Sequence, residues 1–361
     1  MSDENTDHTI FEAVLAGDMS CVQRLLADGV DVNIRQQGGG TPLILAASEG
    51  RLDLTCYLVE HGADVDAQYD AGNTALIEAS ANGHLDVVKY LVEKGADVHI
   101  RENECESPLE WAAGHGHLDV VKFLVSRGAR INGVAENGGT ALTSVCEWGQ
   151  AIEVVKYLIA QGAEIEARAD RDGFSPLVAA AYQGHTDIID LLVKAGANIH
   201  VDDDAPLEWA TLFDQWGSAR SLLAVGADPD SRLNRESTAL TSAVTDARPN
   251  RTKIINALLD AGVDVNRGRK DGATALHEAA STGQVDLITL LIERGANVSA
   301  ATESGDTPAI TAARHGQLAA LRCLGDLGAD LDHPNAEGAT ARALATEMMA
   351  ALPGDGKVIT D

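Results

Sequence analysis

Histidines, clustered acids, lone thiols and a terminal glycine-lysine string are the residues of this 361-residue chain whose types suit chemistry. His115-x-His117 sets two imidazoles at a spacing that can share a metal ion, but the pair stands without further ligands. His277-Glu278 opens like a zinc-protease helix, and no second histidine follows four positions on. Asp202-Asp203-Asp204 offers carboxylates to calcium without the glycine and distal glutamate of a calcium loop, so a solvated acidic turn is expected. Gly354-Asp355-Gly356-Lys357 resembles the end of a phosphate-binding loop, yet lacks the earlier glycine and ends in Val358 rather than a hydroxyl residue. Gly38-Gly39-Gly40 reads as a flexible turn. Cys21, Cys56, Cys105, Cys146 and Cys323 are odd in number and far apart, which fits isolated thiols in a reducing compartment rather than a disulfide framework or zinc ribbon. No catalytic residue, cofactor or metal is expected.

Charge narrows the partners. Lys and Arg total 27 against 55 Asp and Glu, a formal net charge of −28. Such a field repels phosphate backbones and disfavours nucleic acid. It attracts a basic protein surface and speeds its arrival, besides keeping a long chain soluble. Met1 to Asp7 is polar and acidic, so no leader peptide is expected, and no apolar run approaches the roughly 18 residues of a membrane span. The expectation is a cytoplasmic monomer.

The elements behind these residues follow a period. Gly29, Gly62, Gly95, Gly128, Gly162, Gly196, Gly226, Gly262, Gly295 and Gly328 recur about every 33 residues. Self-similarity at that spacing predicts stacked small units, each burying its apolar face against its neighbours. In the unit Gly72 to Val98, Thr74 precedes a short helix as its cap, and Thr41, Ser107, Ser175 and Thr307 are each followed by proline at the first helical position. The first helix ends near Gly83. Leu85 and Asp86 open a second helix, whose Val88, Leu91 and Val92 make one buried stripe, and Gly95 closes it as a left-handed cap. Pairs such as Ala46-Ala47 and Ala112-Ala113 let the two helices of a unit approach closely.

These motifs make the chain resemble the ankyrin-repeat family. Thr-Pro-Leu-x-x-Ala-Ala stands nearly intact at Thr41 to Ala47 and Ser107 to Ala113, Gly-His-x-Asp-Val-Val at Gly83 to Val88 and Gly116 to Val121, and Gly-Ala-Asp-Val at Gly62 to Val65 and Gly95 to Val98. The resemblance implies an all-α solenoid of helix-turn-helix repeats with short β-hairpin turns, about eleven units including caps. Residues 1–352 are then one continuous array, with 1–35 as the N-terminal cap unit, 36–334 as internal units, 335–352 as the C-terminal cap with Arg342 in place of an inward leucine, and 353–361 as a flexible tail. It also gives His84, His117, His185 and His277 structural roles.

Departures from the period cluster between residues 149 and 252. An extra residue falls between Gly149 and Glu153, the connection from Gly196 to Pro206 is short, Asp214 replaces the mid-unit glycine, and three residues are inserted around Pro249. Carried over from the family, the concave-face positions of first helices hold Trp111, Glu147, Trp148, Tyr182, Trp209, Leu212 and Phe213, and Phe174 falls at a turn tip. Aromatics dominate binding hot spots, and this chain is only 4% aromatic. Trp111 and Trp209 equally suit gaps between helices, and Trp216 suits that role best. The expected function is a non-enzymatic protein-interaction module gripping a partner through its concave face and turn tips. Alternatives are a soluble inhibitor or immunity-type protein masking a basic enzyme, and a regulatory subunit of an enzyme complex.

Overall fold

Each unit starts where a hydroxyl side chain caps a helix. In the computed structural model Thr74 Oγ1 accepts from Ile77 N at 3.3 Å, and Thr41, Ser175 and Thr307 cap in the same way. An extended cap residue followed by proline or alanine starts the helix without spending a needed N–H. The structure describes residues 4–103, 106–134, 139–149, 151–168, 174–200, 206–230, 237–245 and 248–351, with side chains from residue 10 to 350. Among them are 21 helices and no strand: ten antiparallel pairs, then the single helix Ala341–Ala351.

The first helix of a regular pair has seven residues, as in Ala75–Ala81, and the second nine, as in Leu85–Glu93. The second ends on the frame glycine. Gly95 has φ +100°, and Ala96 N reaches back to Leu91 O at 3.0 Å. All ten frame glycines share this left-handed conformation, and a Cβ on any of them would meet nothing within 4 Å. They are therefore glycine for backbone reasons alone. The mid-unit glycines differ, because Gly83 also lies against the next unit: a Cβ there would fall 2.5 Å from His117 Nδ1.

The turns carry the expected hairpin closure without becoming strands. Tyr69 N bonds Asn73 O, and Asp70 N bonds Gly38 O in the preceding turn. Among the described residues a single backbone bond joins one tip to its neighbour, as also from Asn103 N to Ala71 O, which is too short a ladder to make a sheet, and the β-hairpins of the sequence expectation appear there as turns. Asparagine amides add stitches between units: Asn33 Nδ2 donates to Gly62 O, and Asp64 N donates to Asn33 Oδ1.

The chain forms two compact units, Met1–Asn198 and Ile199–Asp361. In the first, the buried leucines Leu43, Leu76, Leu109, Leu142 and Leu177 of the first helices face Leu58, Leu91, Leu124, Leu158 and Leu192 of the second. In the second, Leu207, Leu240 and Leu276 face Leu222, Leu258 and Leu291. The alanine pairs between the rows, such as Ala46-Ala47 and Ala279-Ala280, are fully buried. At the start, the helix Glu4–Ala16 has 13 residues, longer than the first helices that follow. At the end, Arg342 is exposed and pairs with Asp332 at 2.8 Å, giving the last helix a polar outer side.

Candidate functional site

The extra residue after Gly149 changes how one first helix ends. Ala141–Trp148 has eight residues, and Gly149 is extended (φ −123°, ψ 151°) where other mid-unit glycines are left-handed. Trp148 thus becomes the last helical residue, and its ring lies on the end of the preceding first helix, Pro108–Gly114. A Cβ on Gly114 would sit 2.3 Å from Trp148 Cε3, and one on Gly149 would sit 2.6 Å from Gly114 O. Both glycines are there because the ring and its backbone come so close.

Around that contact the aromatics gather. Trp111 and Trp148 have ring centroids 5.4 Å apart at 50°, His115 stacks on Trp111 at 5.6 Å and 16°, and His115 meets the edge of Trp148 at 6.0 Å. Trp148 remains 43% exposed, and Glu147 beside it is exposed. Trp111 is half-buried, and its Nε1 is buried with no partner among the described residues. His115 Nδ1 bonds Trp111 O and His117 Nε2 bonds Ala81 O, so both imidazoles of the His-x-His pair are tied into helix ends. Burial pushes His117 below its ordinary value, against the pull of its Ala81 bond. Among the described residues no three metal-ligating side chains cluster.

The repeated string Pro-Leu-Glu-Trp-Ala buries its glutamate both times. Glu110 Oε2 accepts from Ser107 N at 2.5 Å with Arg101 Nη2 3.7 Å from its other oxygen. Burial raises the Glu110 carboxyl above its ordinary range, while Ser107 and Arg101 pull it back. Glu208 is fully buried and accepts from Ser237 Oγ at 2.5 Å. The tryptophan one residue on emerges between helices in each case.

In the second unit Trp209 and Phe213 stack at 5.7 Å and 21°, and Phe213 is 37% exposed. Leu212 is half-buried, and its carbonyl accepts from Arg248 Nη1 at 2.5 Å. Asp214 has φ +58°, so an acid occupies the left-handed mid-unit position, held by Asn250 N donating to its Oδ2 at 3.1 Å. Phe174 directly precedes the cap Ser175 and packs on Tyr182 at 5.9 Å, both half-buried. Residues 169–173 before it lie outside the described residues, as do Cys105, the acidic run Asp202 to Asp204 and the string Gly354 to Lys357. Trp216 is half-buried at the start of Trp216–Ala224.

Sequence reasoning missed Gly114 and read His115 only as half of a metal-binding pair. The available signal was a glycine where the neighbouring units have Ser48 and Ala81, one helix before a tryptophan.

No helix among the described residues is long and apolar enough to cross a membrane. Two similar curated proteins are protein phosphatase 1 regulatory subunit 27 of Homo sapiens and of Mus musculus, each 44% identical over 50 residues, or 14% of this chain and 32% of theirs. The chain thus covers about a third of the length of these relatives. The family described as "Ankyrin repeats (3 copies)" matches overlapping segments that run from residue 10 to residue 335: 10–102, 68–135, 109–203, 166–233, 207–302 and 240–335. With the caps, the frame glycines and the paired helices all in place, this chain belongs to the ankyrin-repeat family.

Proposed function

We propose that the chain is a non-enzymatic scaffold that binds a protein partner through first helices and turns, with Trp148 as the exposed anchor of the first unit and Phe213 as that of the second. One observation carries this reading. The Trp148 indole is 43% exposed yet held in place by Gly114, Trp111 and His115, so it presents a large apolar surface with little rotational freedom to lose. Glu147, Tyr182, Trp209 and Leu212 contribute to the same kind of face in their own units. Replacing Trp148 by alanine should weaken partner binding by about 2–4 kcal/mol without unfolding the chain. Quantitative capture from the native source, comparing wild type with the Trp148→Ala and Phe213→Ala variants, tests it; an identical set and amount of retained proteins for all three removes the reading.

Net charge of −28 supports a partner with a basic surface, whose association should slow as salt shortens the Debye length. The match to two proteins named as phosphatase regulatory subunits supports a narrower second reading, in which the partner is an enzyme that the chain regulates. Titration against purified protein phosphatase 1 decides that version: absence of both binding and any change in its activity discards it.

A further inference from the structure

The second helices of the first unit supply basic groups to their own rings. Lys94 Nζ lies 5.3 Å from the centre of the Tyr90 ring, the Arg127 guanidinium 4.8 Å from Phe123, and Lys122 Nζ 6.0 Å from Tyr157. The fourth ring of these helices, Tyr57, packs on the His61 imidazole at 3.9 Å. All four rings are half-buried.

Trp148 is exposed and lacks such a cover. Its ring partners are Trp111 and, edge-on, His115, and no lysine or arginine lies over it among the described residues. Indole is the aromatic side chain whose face attracts cations best. The exposed ring most suited to a cation is therefore one that the chain leaves without its own.

The surroundings carry the matching sign. None of the five first helices from Pro42–Ser48 to Pro176–Gln183 contains a lysine or arginine, whereas Glu78, Glu110 and Glu147 stand in them. Glu110 is buried, but Glu147, one residue before Trp148, is exposed. On the loop side, the second residue of each second helix is an exposed acid: Asp53, Asp86, Asp119, Glu153 and Asp187. Asp86 and Glu153 pair with Lys89 and Lys156 one turn on, while no ion pair engages Asp53, Asp119 or Asp187 among the described residues. Asp119 opens the helix that follows His115, the residue edge-on to Trp148.

Three kinds of partner side chain could meet the indole. An apolar group gains contact area and nothing from the acids, and an anion is repelled by them. A cation gains from both the ring and the border. Guanidinium suits the place better than ammonium, because it is planar, stacks on aromatic faces and gives up its hydration more readily. We infer that the Trp148 indole receives an arginine side chain of the protein partner, with Glu147 and the loop-side acids setting the sign of the field. This rests on the reading of Trp148 as an anchor and names what the anchor holds.

Nitrogen-15 NMR of the full chain tests it through the indole N–H signals, one for each of the four tryptophans. The Trp148 signal is identified by its loss in Trp148→Phe. Titration with acetyl-Gly-Arg-Gly-amide should move that signal saturably. The citrulline peptide of the same shape, which carries no charge, should bind about two- to fivefold more weakly. Glu147→Gln and added salt should each weaken the arginine peptide and leave the citrulline peptide unchanged. No saturable movement with the arginine peptide, or equal affinity for the citrulline peptide or for acetyl-Gly-Leu-Gly-amide, would overturn the inference. Loss of partner capture in Trp148→Ala together with equal binding of the three peptides keeps the anchor and discards its cation. Capture unaffected by Trp148→Ala discards the anchor and the cation with it.

Discussion

Replacing Gly114 by alanine separates two opposed effects that the structure places on one atom. Gly114 is the last residue of Pro108–Gly114, and its equivalents Ser48 and Ala81 show that a side chain is otherwise acceptable there. A Cβ would stand 2.3, 3.0 and 3.3 Å from Trp148 Cε3, Cζ3 and Cδ2. Carbon atoms in contact prefer about 3.5–4.0 Å, so the ring must withdraw by more than about 1 Å. Overpacking of this kind costs about 1–3 kcal/mol. Against it, alanine gains up to about 1 kcal/mol of helix propensity, less at the end of a helix than inside it. Gly114→Ala should therefore destabilise the wild-type chain by about 0–3 kcal/mol.

With Trp148 already alanine the clash is gone and only the propensity remains. Gly114→Ala should then be neutral or stabilising by up to about 1 kcal/mol, a coupling of about 1–3 kcal/mol between the two sites. Urea unfolding of the four proteins, followed by far-ultraviolet circular dichroism with the denaturant slope checked for constancy, measures it. Near-ultraviolet dichroism should lose the signal of the Trp111–Trp148 pair in Gly114→Ala as well as in Trp148→Ala. An effect of Gly114→Ala with the same sign and size in both backgrounds would refute the claim that this glycine exists to seat the indole.

Asp214 sits at φ +58°, where an ordinary side chain costs about 1–2 kcal/mol and an acid that bonds locally costs less. Asp214→Gly relieves the backbone and loses the Asn250 bond, so stability should stay within about 0.5 kcal/mol, whereas Asp214→Ala loses both and should fall by about 1–2 kcal/mol; equal losses would refute the backbone argument. His277 is buried with Nδ1 accepting from Thr274 N at 3.1 Å and Nε2 donating to Asp306 O at 3.0 Å, an arrangement of the neutral ring. Burial holds it below its ordinary value, against its bond to Asp306 and the nearby acids. Its stabilisation is therefore complete above about pH 6.5, the unfolded value, and is lost as pH falls through the lower folded value. The stability gap between wild type and His277→Gln should narrow from pH 7.5 to pH 5, and a gap independent of pH would count against the neutral cap.

Backbone punctuation was legible in the sequence because it is local. Thr74 and Gly95 act within their own turn, so caps, helix lengths and left-handed closures can be read from residue type alone. Side-chain exposure was less legible, because it is decided one unit away. Trp111 and Trp209 come from the same five-residue string, yet Trp111 is flanked by Trp148 of the next first helix, while Trp209 stacks on Phe213 of its own.

The mid-unit glycine shows why the irregular segment carries the functional signal. At Gly149 an inserted residue releases the chain from the left-handed turn, the helix gains Trp148, and glycine is retained for the close approach to Gly114 O. At Asp214 the left-handed turn is kept without glycine, and the inserted segment that follows supplies Arg248 to Leu212 O and Asn250 to the Asp214 carboxylate. Both departures carry an exposed aromatic residue at the eighth position, Trp148 as the last helical residue and Phe213 just beyond Pro206–Leu212. In regular units the eighth position holds Glu49, Asn82 or Thr282, polar residues that cap the helix under the left-handed glycine. At Gly149 the extended backbone brings that position into the helix and seats its ring on Gly114, so restoring the period at 149–151 should move the indole off Gly114 while leaving the stack intact.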